Sequence, residues 1–364
     1  MSRYEQRMAA DKAEIRRRVA AAGRSVEGAV ARAVDGLLRR DRKLCYQVIL
    51  GDLPITRELR AIDARCHAFV ARHLPSAGHL RFVSSVLQMD VAVERIGDYA
   101  ATIAREAVQL SKSPPTAIAA DIRSMSQLAC AVLAQATTAF AEKDVELARE
   151  TRAQAKTVEH TYGRVFRFLA REGGTLPLID AFALLTVINN LERVSDQAKN
   201  ISEETIFELT GEAKAPKRYR VLFVDARDTM IAPLATALAR KAFPESGVYE
   251  DVGYSPGETL APELRTLAKE LSLDLTDIRP AALSQGTAAL GVYHVVVCLA
   301  GDAARHLEGL PYATVLLEWN LPQLADAVGQ DADGSVRQQL RHVGKQLGDE
   351  IRERMTTMRG EDAR

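Results

Sequence analysis

The sequence lacks several features that would assign it to a particular class of protein. Its 48 basic and 48 acidic residues leave no net charge, whereas a chain that binds nucleic acid over its whole length normally has a basic excess. Its four cysteines form no Cys-x-x-Cys pair, which predicts a reducing, cytoplasmic environment. No stretch approaches the roughly 20 consecutive apolar residues of a membrane span, and the polar N-terminus lacks the apolar segment of a secretory signal.

The pattern of apolar residues divides the 364-residue chain into two regions. Between about residues 5 and 210 the pattern is nearly continuous helix, with sparse proline and no strand-like alternation. A polar segment with a proline follows at 209–218 and is typical of a linker. Beyond it, short apolar runs alternate with helical stretches, which is typical of a parallel sheet covered on both faces. We therefore predict an all-α bundle followed by a three-layer α/β domain with a parallel sheet.

The helical region contains an internal duplication. Residues 80–103 align with residues 178–201 at a constant offset, and both segments contain Glu-Arg-x-x-Asp. Further upstream the offset lengthens, and Asp41 then aligns with Asp144. The duplication predicts two units of three helices each, stacked into one elongated bundle.

The repeated motif places two carboxylates on one helix face, because residues four apart project from the same side. The motif acids are Glu94, Asp98, Glu192 and Asp196. Two such carboxylates repel each other unless a cation lies between them, and carboxylate oxygens suit hard metal ions. The alternative is a solvated acidic face that bonds neighbouring Arg or Lys. The spacing of the two acids alone favours the solvated face. The duplication favours a metal site, because the same acidic geometry occurs twice where an arbitrary surface charge need not.

These motifs and their surroundings resemble the PhoU family. The segments that carry the resemblance are 41–52, 79–81, 93–98 and 190–200. It covers about residues 5–208, with repeats at about 5–112 and 118–208. The resemblance implies two three-helix repeats in a cytoplasmic regulator that connects the phosphate ABC transporter and its sensor histidine kinase, and that represses phosphate uptake when phosphate is plentiful.

The resemblance also implies a cofactor. Family members bind metal through paired Glu-x-x-x-Asp motifs, so the implied ligands are Glu94, Asp98, Glu192 and Asp196. The metals are divalent or trivalent, with Fe, Mn, Mg and Zn not distinguished.

The two repeats depart from the family pattern to different degrees. The family often has an Asp opposite each motif helix. Asp52 supplies it in the first repeat, but Ala155 occupies the matching position in the second, which makes the second metal site the weaker one. Asp52, Asp90 and Asn200 are weaker ligand candidates, since each is more typical of a cap, a turn or the surface.

The second region begins with a strand, a short loop and a helix, 221–235, an order that makes a natural anion cradle. This stretch resembles the low-molecular-weight protein tyrosine phosphatases and the arsenate reductases that share their fold. Four later segments also resemble parts of these enzymes: 273–283, 295–302, 317–322 and 347–354. The resemblance covers about residues 219–358.

The catalytic groups of that family are replaced here. The nucleophilic Cys and the loop Arg correspond to Asp225 and Ile231, the loop Asn to Asp228, the Ser after the Arg to Ala232, and the general-acid Asp to Gln323. Asp225 and Asp228 thus place two carboxylates where a phosphate would bind. A contact between like charges costs about 4 kcal/mol at an effective dielectric of about 20, whereas a helix dipole stabilises a bound anion by only about 0.3–2 kcal/mol. We therefore predict no phosphatase or arsenate reductase activity.

Together these observations predict a non-catalytic regulator of phosphate uptake and phosphate-responsive signalling. Its expected partners are the transporter ATPase, the sensor histidine kinase and a second copy of the chain in a homodimer, with no nucleic acid and with membrane contact only through partners. Two alternatives remain open. One is a phosphatase or arsenate reductase-type enzyme whose altered site uses Asp225 as nucleophile, and the other is a structural helical protein without metal.

Overall fold

The computed structural model describes residues 2–155, 163, 165–166, 168–169, 176–213, 218–284, 286–299, 302–307, 310–311, 314–319, 321 and 335–359. The chain forms two compact units, Met1–Lys214 and Ala215–Arg364. Each unit has its own buried apolar core.

The first unit is a bundle of long helices. Its described helices are α1 (Arg3–Arg39), α2 (Arg42–His73), α3 (Ala77–Gln109), α4 (Thr116–Glu142), α5 (Val145–Gln154) and α6 (Leu178–Thr210). The motif helices α3 and α6 pack against each other, and α1 packs against α4. The predicted all-α bundle is confirmed.

The helix caps show the duplication directly. Asp41 and Asp144 are the N-caps of α2 and α5, and each side chain accepts a hydrogen bond at 3.0 Å from the backbone amide three residues later. Such a bond satisfies one of the donors left free at a helix N-terminus. In both repeats a residue in the left-handed conformation precedes the cap, Arg40 with φ 55° and Lys143 with φ 60°. The aligned residues therefore perform the same structural task.

The end of α6 lies where the helical pattern was predicted to end, at about residue 210. The helix continues to Thr210, two residues into the segment 209–218 that was assigned to the linker. It ends there because Gly211 adopts the left-handed conformation with φ 79°, which glycine allows at low cost.

The second unit is a four-stranded parallel sheet with helices on both faces. Its described elements are β1 (Tyr219–Asp225), α7 (Ile231–Ala242), β2 (Gly247–Gly253), α8 (Pro262–Glu270), α9 (Thr287–Leu290), β3 (Val295–Cys298), a 3₁₀ turn (Ala303–His306), β4 (Val315–Glu318) and α10 (Ser335–Arg359). One face packs on α7, α8 and α10, and the other on α9 and the 3₁₀ turn. The predicted three-layer α/β domain is confirmed.

The strand order places one end of β1 where a ligand would be expected. The order is β2-β1-β3-β4, so β2 pairs with one edge of β1 and β3 pairs with its other edge. The strand order therefore reverses direction at β1. In open parallel sheets ligands bind at the carboxyl ends of the strands at such a switch point. Asp225, the last residue of β1, lies there.

One described helix meets the length and hydropathy of a membrane span. This is α4, 27 residues long. Length and composition alone are weak evidence, because core helices of bundles pass the same test. One face of α4, which includes Ile122, Met125, Leu133 and Phe140, is buried in the core of the first unit.

Candidate functional site

The acidic motif of the first repeat lies on an exposed face of α3. Glu94 and Asp98 are both exposed, while Ile96 and Gly97 between them are buried. The spacing of four thus puts both carboxylates on the same side of the helix, as the sequence predicts.

A third carboxylate approaches this face from α2. A Cβ atom added to Gly97 would lie 3.0 Å from Oδ1 of Asp52, so the absence of a side chain at Gly97 allows Asp52 to lie against α3. Burial raises the pKa of Asp52, the negative charge of Asp98 raises it further, and Arg105 opposes them. Asp52 is therefore a half-buried residue inside α2, in electrostatic contact with the motif, and not a cap or turn residue.

The second repeat makes a different contact at the equivalent place. Ser195 aligns with Gly97, and its hydroxyl donates to the carbonyl oxygen of Ala155 at 3.0 Å. A backbone carbonyl thus takes the position where the first repeat has a carboxylate. Glu192 and Asp196 each interact with another group. The repeat has the motif acids but lacks the acid on the neighbouring helix.

The acids of the first repeat, Asp52, Glu94 and Asp98, suit a hard cation because all three offer carboxylate oxygens. The charges of Asp52 and Asp98 also repel each other. Among the described residues, however, no three His, Cys, Asp or Glu side chains are close enough together to hold a metal ion. The side chains present fit the chemistry of such an ion, but three of them do not converge in this geometry.

Asp90 is a buried acid that its sequence context does not reveal. It lies one turn before Glu94 inside α3, is 8 % exposed, and neither carboxylate oxygen has a hydrogen-bond partner among the described residues. Burial raises its pKa to about 8, with further contributions from Asp63, Glu94 and Glu58. The expectation of a cap, turn or surface residue is wrong for Asp90, because the position faces the interior.

The loop after β1 is filled by a side chain of the protein. Oδ1 of Asp225 accepts from the amide of Asp228 at 2.5 Å, and Oδ2 accepts from the amide of Ala232 at 2.9 Å. Backbone amides of a loop and a helix N-terminus are the donors that would hold a bound anion. The Asp225 carboxylate takes these donors itself.

Asp228 adds a second buried acid to the loop, but a protonated one. It is fully buried, and its Oδ2 accepts from the Ala281 amide at 2.8 Å. Burial and then the charge of Asp251 raise the pKa of Asp228 to about 9, and burial raises the pKa of Asp251 too. Burial thus favours the protonated form of both acids, and the side chain of Asp228 bonds to that of Asp251.

The remaining described loop positions place no cation against the two acids. Ile231 and Ala232 are buried in the core at the start of α7. Arg227 is exposed, so it does not turn inward to compensate the acids. The structure brings Asp225, Asp228, Ile231 and Ala232 together at one end of the sheet, whereas Gln323 lies outside the described residues.

The second unit also has no activated thiol. Cys298 is its only cysteine and is 1 % exposed at the end of β3. Burial, with a contribution from Glu318, raises the pKa of this thiol to about 12. A thiol that stays protonated at neutral pH is a poor nucleophile.

Comparison with known proteins assigns the first unit to a family of two-repeat helical bundles. The PhoU domain family matches residues 19–107 and 122–205. The phosphate-specific transport system accessory protein PhoU homolog of Pseudomonas aeruginosa is 33 % identical over 215 residues, which are 57 % of this chain and 86 % of that protein. The crystal structure of PhoU from Pseudomonas aeruginosa has a TM-score of 0.52 at 29 % identity and covers 56 % of this chain and 99 % of that one. The chain belongs to the PhoU family.

The second unit has structural neighbours of another kind. They include the low-molecular-weight protein tyrosine phosphatase from T. tengcongensis, with 22 % identity and a TM-score of 0.29 over 37 % of this chain and 99 % of that one. A likeness at that TM-score supports no conclusion about chemistry, which therefore rests on the loop residues themselves.

Proposed function

We propose that the protein is a non-catalytic regulator of phosphate uptake and of phosphate-responsive signalling. Membership of the PhoU family, together with the exposed acidic motif on α3, carries this proposal. The relatives are named as accessory proteins of the phosphate-specific transport system, and the first unit spans most of their length.

The proposed partners are the ATPase of the phosphate ABC transporter and a sensor histidine kinase, met at the cytoplasmic face of the membrane, with the chain acting as a homodimer. A pull-down from phosphate-replete and phosphate-starved cells tests the association. We expect the transporter or the kinase to be recovered under at least one condition. Recovery of neither under both conditions would contradict the proposal.

We further propose that Glu94 and Asp98 hold a divalent or trivalent metal ion in the first repeat, and that Asp52 from the neighbouring helix, which does not converge with them in this geometry, is drawn toward the ion when it binds. The ion would supply positive charge between carboxylates that otherwise repel, and would link α2 to α3. Glu192 and Asp196 would form the weaker site, because Ala155 offers no carboxylate. Gly97 is the residue that admits Asp52.

Metal content tests this assignment. We expect Glu94→Gln/Asp98→Asn to lose more metal than Glu192→Gln/Asp196→Asn, measured by elemental analysis of the purified proteins. A ligand at about 100 times its dissociation constant stabilises a protein by about 2.7 kcal/mol, which raises the melting temperature of a domain of this size by about 5–10 °C. A chelator should therefore lower the wild-type melting temperature by that amount and leave Glu94→Gln/Asp98→Asn unchanged.

The matched control removes another pair of acids from the same unit. Glu146 and Glu150 lie four apart and exposed on α5, so Glu146→Gln/Glu150→Gln makes the same charge change outside the motif. Equal metal content in wild type, control and Glu94→Gln/Asp98→Asn would contradict the metal site.

The second candidate function is a phosphatase or arsenate reductase-type enzyme that uses Asp225 as its nucleophile. The placement of Asp225 at the switch point of the sheet favours it. The bonds that engage both carboxylate oxygens disfavour it, since a nucleophile needs a free oxygen to attack.

We expect the purified protein to hydrolyse no aryl phosphate above background. The assay includes Asp225→Asn and a thermal melt to verify that each variant is folded. Turnover by wild type that a folded Asp225→Asn variant has lost would replace the non-catalytic proposal with the enzymatic one.

A further inference from the structure

The first unit contains a cavity remote from the acidic motif. It has a volume of about 820 Å³ and lies along the N-terminal half of α1. His79 from the first turn of α3 and Ala141 and Lys143 from the end of α4 complete its lining. Ligand pockets commonly have volumes of about 300–1,000 Å³, so the cavity is large enough for a small organic molecule.

The lining is strongly basic. It contains five Lys or Arg side chains and one acid, Glu5. Glu208 binds Arg16 through both carboxylate oxygens at 2.8 Å, and Glu14 binds Arg17 at 2.8 Å. The other three cations, Lys12, Arg24 and Lys143, make no ion pair with any residue in the described part of the chain.

Lys12 is half-buried and its charge interacts with that of Lys143, whereas Arg24 and Lys143 are themselves exposed. The Lys12 ammonium lies 4.6 Å from the centroid of the Phe82 ring. Burial lowers the pKa of Lys12, and Arg16 and Lys143 contribute in the same direction against the opposing charge of Glu208. Like charges held together in this way are stabilised by a bound anion.

His79 adds an unused polar atom. Its Nδ1 is buried and has no hydrogen-bond partner among the residues that the structure describes. Burial, and then the nearby Lys12, lower the pKa of His79. A buried polar atom without a partner is costly unless something else supplies the bond, and a ligand in this cavity could do so.

Apolar side chains lie between the cations of the lining. They are Met8 and the alanines at positions 9, 13, 20 and 141, most of them on the same helix α1 as Lys12 and Arg24. Inorganic phosphate would satisfy the cations and leave these side chains without a contact, whereas a ligand with an anionic end and an apolar body would contact both.

We propose that this cavity binds an organic phosphate of nucleotide size, with its phosphoryl groups on Lys12 and Lys143 and its organic part against the alanines and Met8. This binding is separate from the metal site and does not depend on the proposed role in phosphate transport.

Calorimetric titration of the full-length protein with ATP, without divalent cations and at low salt, tests the proposal. We expect wild type to bind ATP, and Lys12→Gln/Lys143→Gln to bind it at least about tenfold more weakly, a loss that corresponds to about 1.4 kcal/mol. Inorganic phosphate and pyrophosphate are titrated in parallel and should both bind more weakly than ATP.

The control pair is Lys43→Gln/Lys112→Gln, which removes the same charge from two exposed lysines of the same unit outside the cavity. We expect its ATP affinity to stay within about twofold of wild type. Three results would each overturn the proposal: no ATP binding by wild type, equal losses in the two double variants, or pyrophosphate binding as tight as that of ATP.

Discussion

Replacing Asp225 with alanine should destabilise the second unit by about 3 kcal/mol, because each buried amide donor left without an acceptor costs about 1–3 kcal/mol. The Asp225 carboxylate accepts from the amides of Asp228 and Ala232 in a site that is 6 % exposed. Asp225→Asn keeps the shape but turns an NH₂ group toward one of these amides, so it should also destabilise. Urea unfolding followed by tryptophan fluorescence measures both, since Trp319 is the only tryptophan and lies in the core of this unit.

The control is Asp277→Ala, which removes an exposed carboxylate from the same unit. Surface substitutions of this kind usually change the free energy of unfolding by less than about 0.5 kcal/mol. If Asp225→Ala and Asp225→Asn were as stable as this control, the carboxylate would not be holding the loop. The site would then be open to an external anion.

The stability of the second unit should fall as the pH rises from about 4 to about 9, and Asp228→Asn should remove much of this fall. The pKa of Asp228 is about 9 in the folded protein, against an ordinary value of 3.8. Between these values the folded state holds a proton that the unfolded state has released, so a higher pH favours unfolding. At pH 9 the variant should exceed wild type by on the order of 2–4 kcal/mol.

Asparagine suits this position for two further reasons. Asp228 has φ 52°, a left-handed conformation that asparagine tolerates better than most residues. Its amide can still accept from Ala281 and donate toward Asp251. Urea unfolding at pH 5, 7 and 9, with Asp277→Asn as the control, gives the comparison. Parallel pH profiles for wild type and Asp228→Asn would show that Asp228 holds no proton in the folded state.

Patterns local in sequence predicted most of the fold. The alternation of short apolar runs with helical stretches predicted the parallel sheet, and the spacing of Glu94 and Asp98 placed both on one face of α3. The alignment of Asp41 with Asp144 likewise located two equivalent caps. In each case the information lies within one element, where helix or strand periodicity determines which side chains share a face.

Contacts between separate elements could not be read in the same way. Asp52 approaches Gly97 because α2 and α3 pack closely there, and no spacing in the sequence indicates this. The signals available were the family resemblance, which placed Asp52 opposite the motif helix, and Gly97 itself, because a glycine inside a helix is costly. The presence of Asp225 and Ile231 where the resembled family has its Cys and Arg was visible in the sequence, but the bonding of Asp225 to its own loop depends on the path of the backbone. The raised pKa values of Asp228 and Asp251 depend on burial that only the folded unit provides.

The central claim is that this protein regulates phosphate uptake without catalysis. The most direct test is the initial rate of radiolabelled phosphate uptake in phosphate-rich medium, by cells that lack the protein and by cells complemented with wild type, Glu94→Gln/Asp98→Asn or Asp225→Asn. Uptake should rise when the protein is absent, return to the original rate with wild type or with a folded Asp225→Asn variant, and stay high with Glu94→Gln/Asp98→Asn. Uptake that is the same with and without the protein would contradict the account.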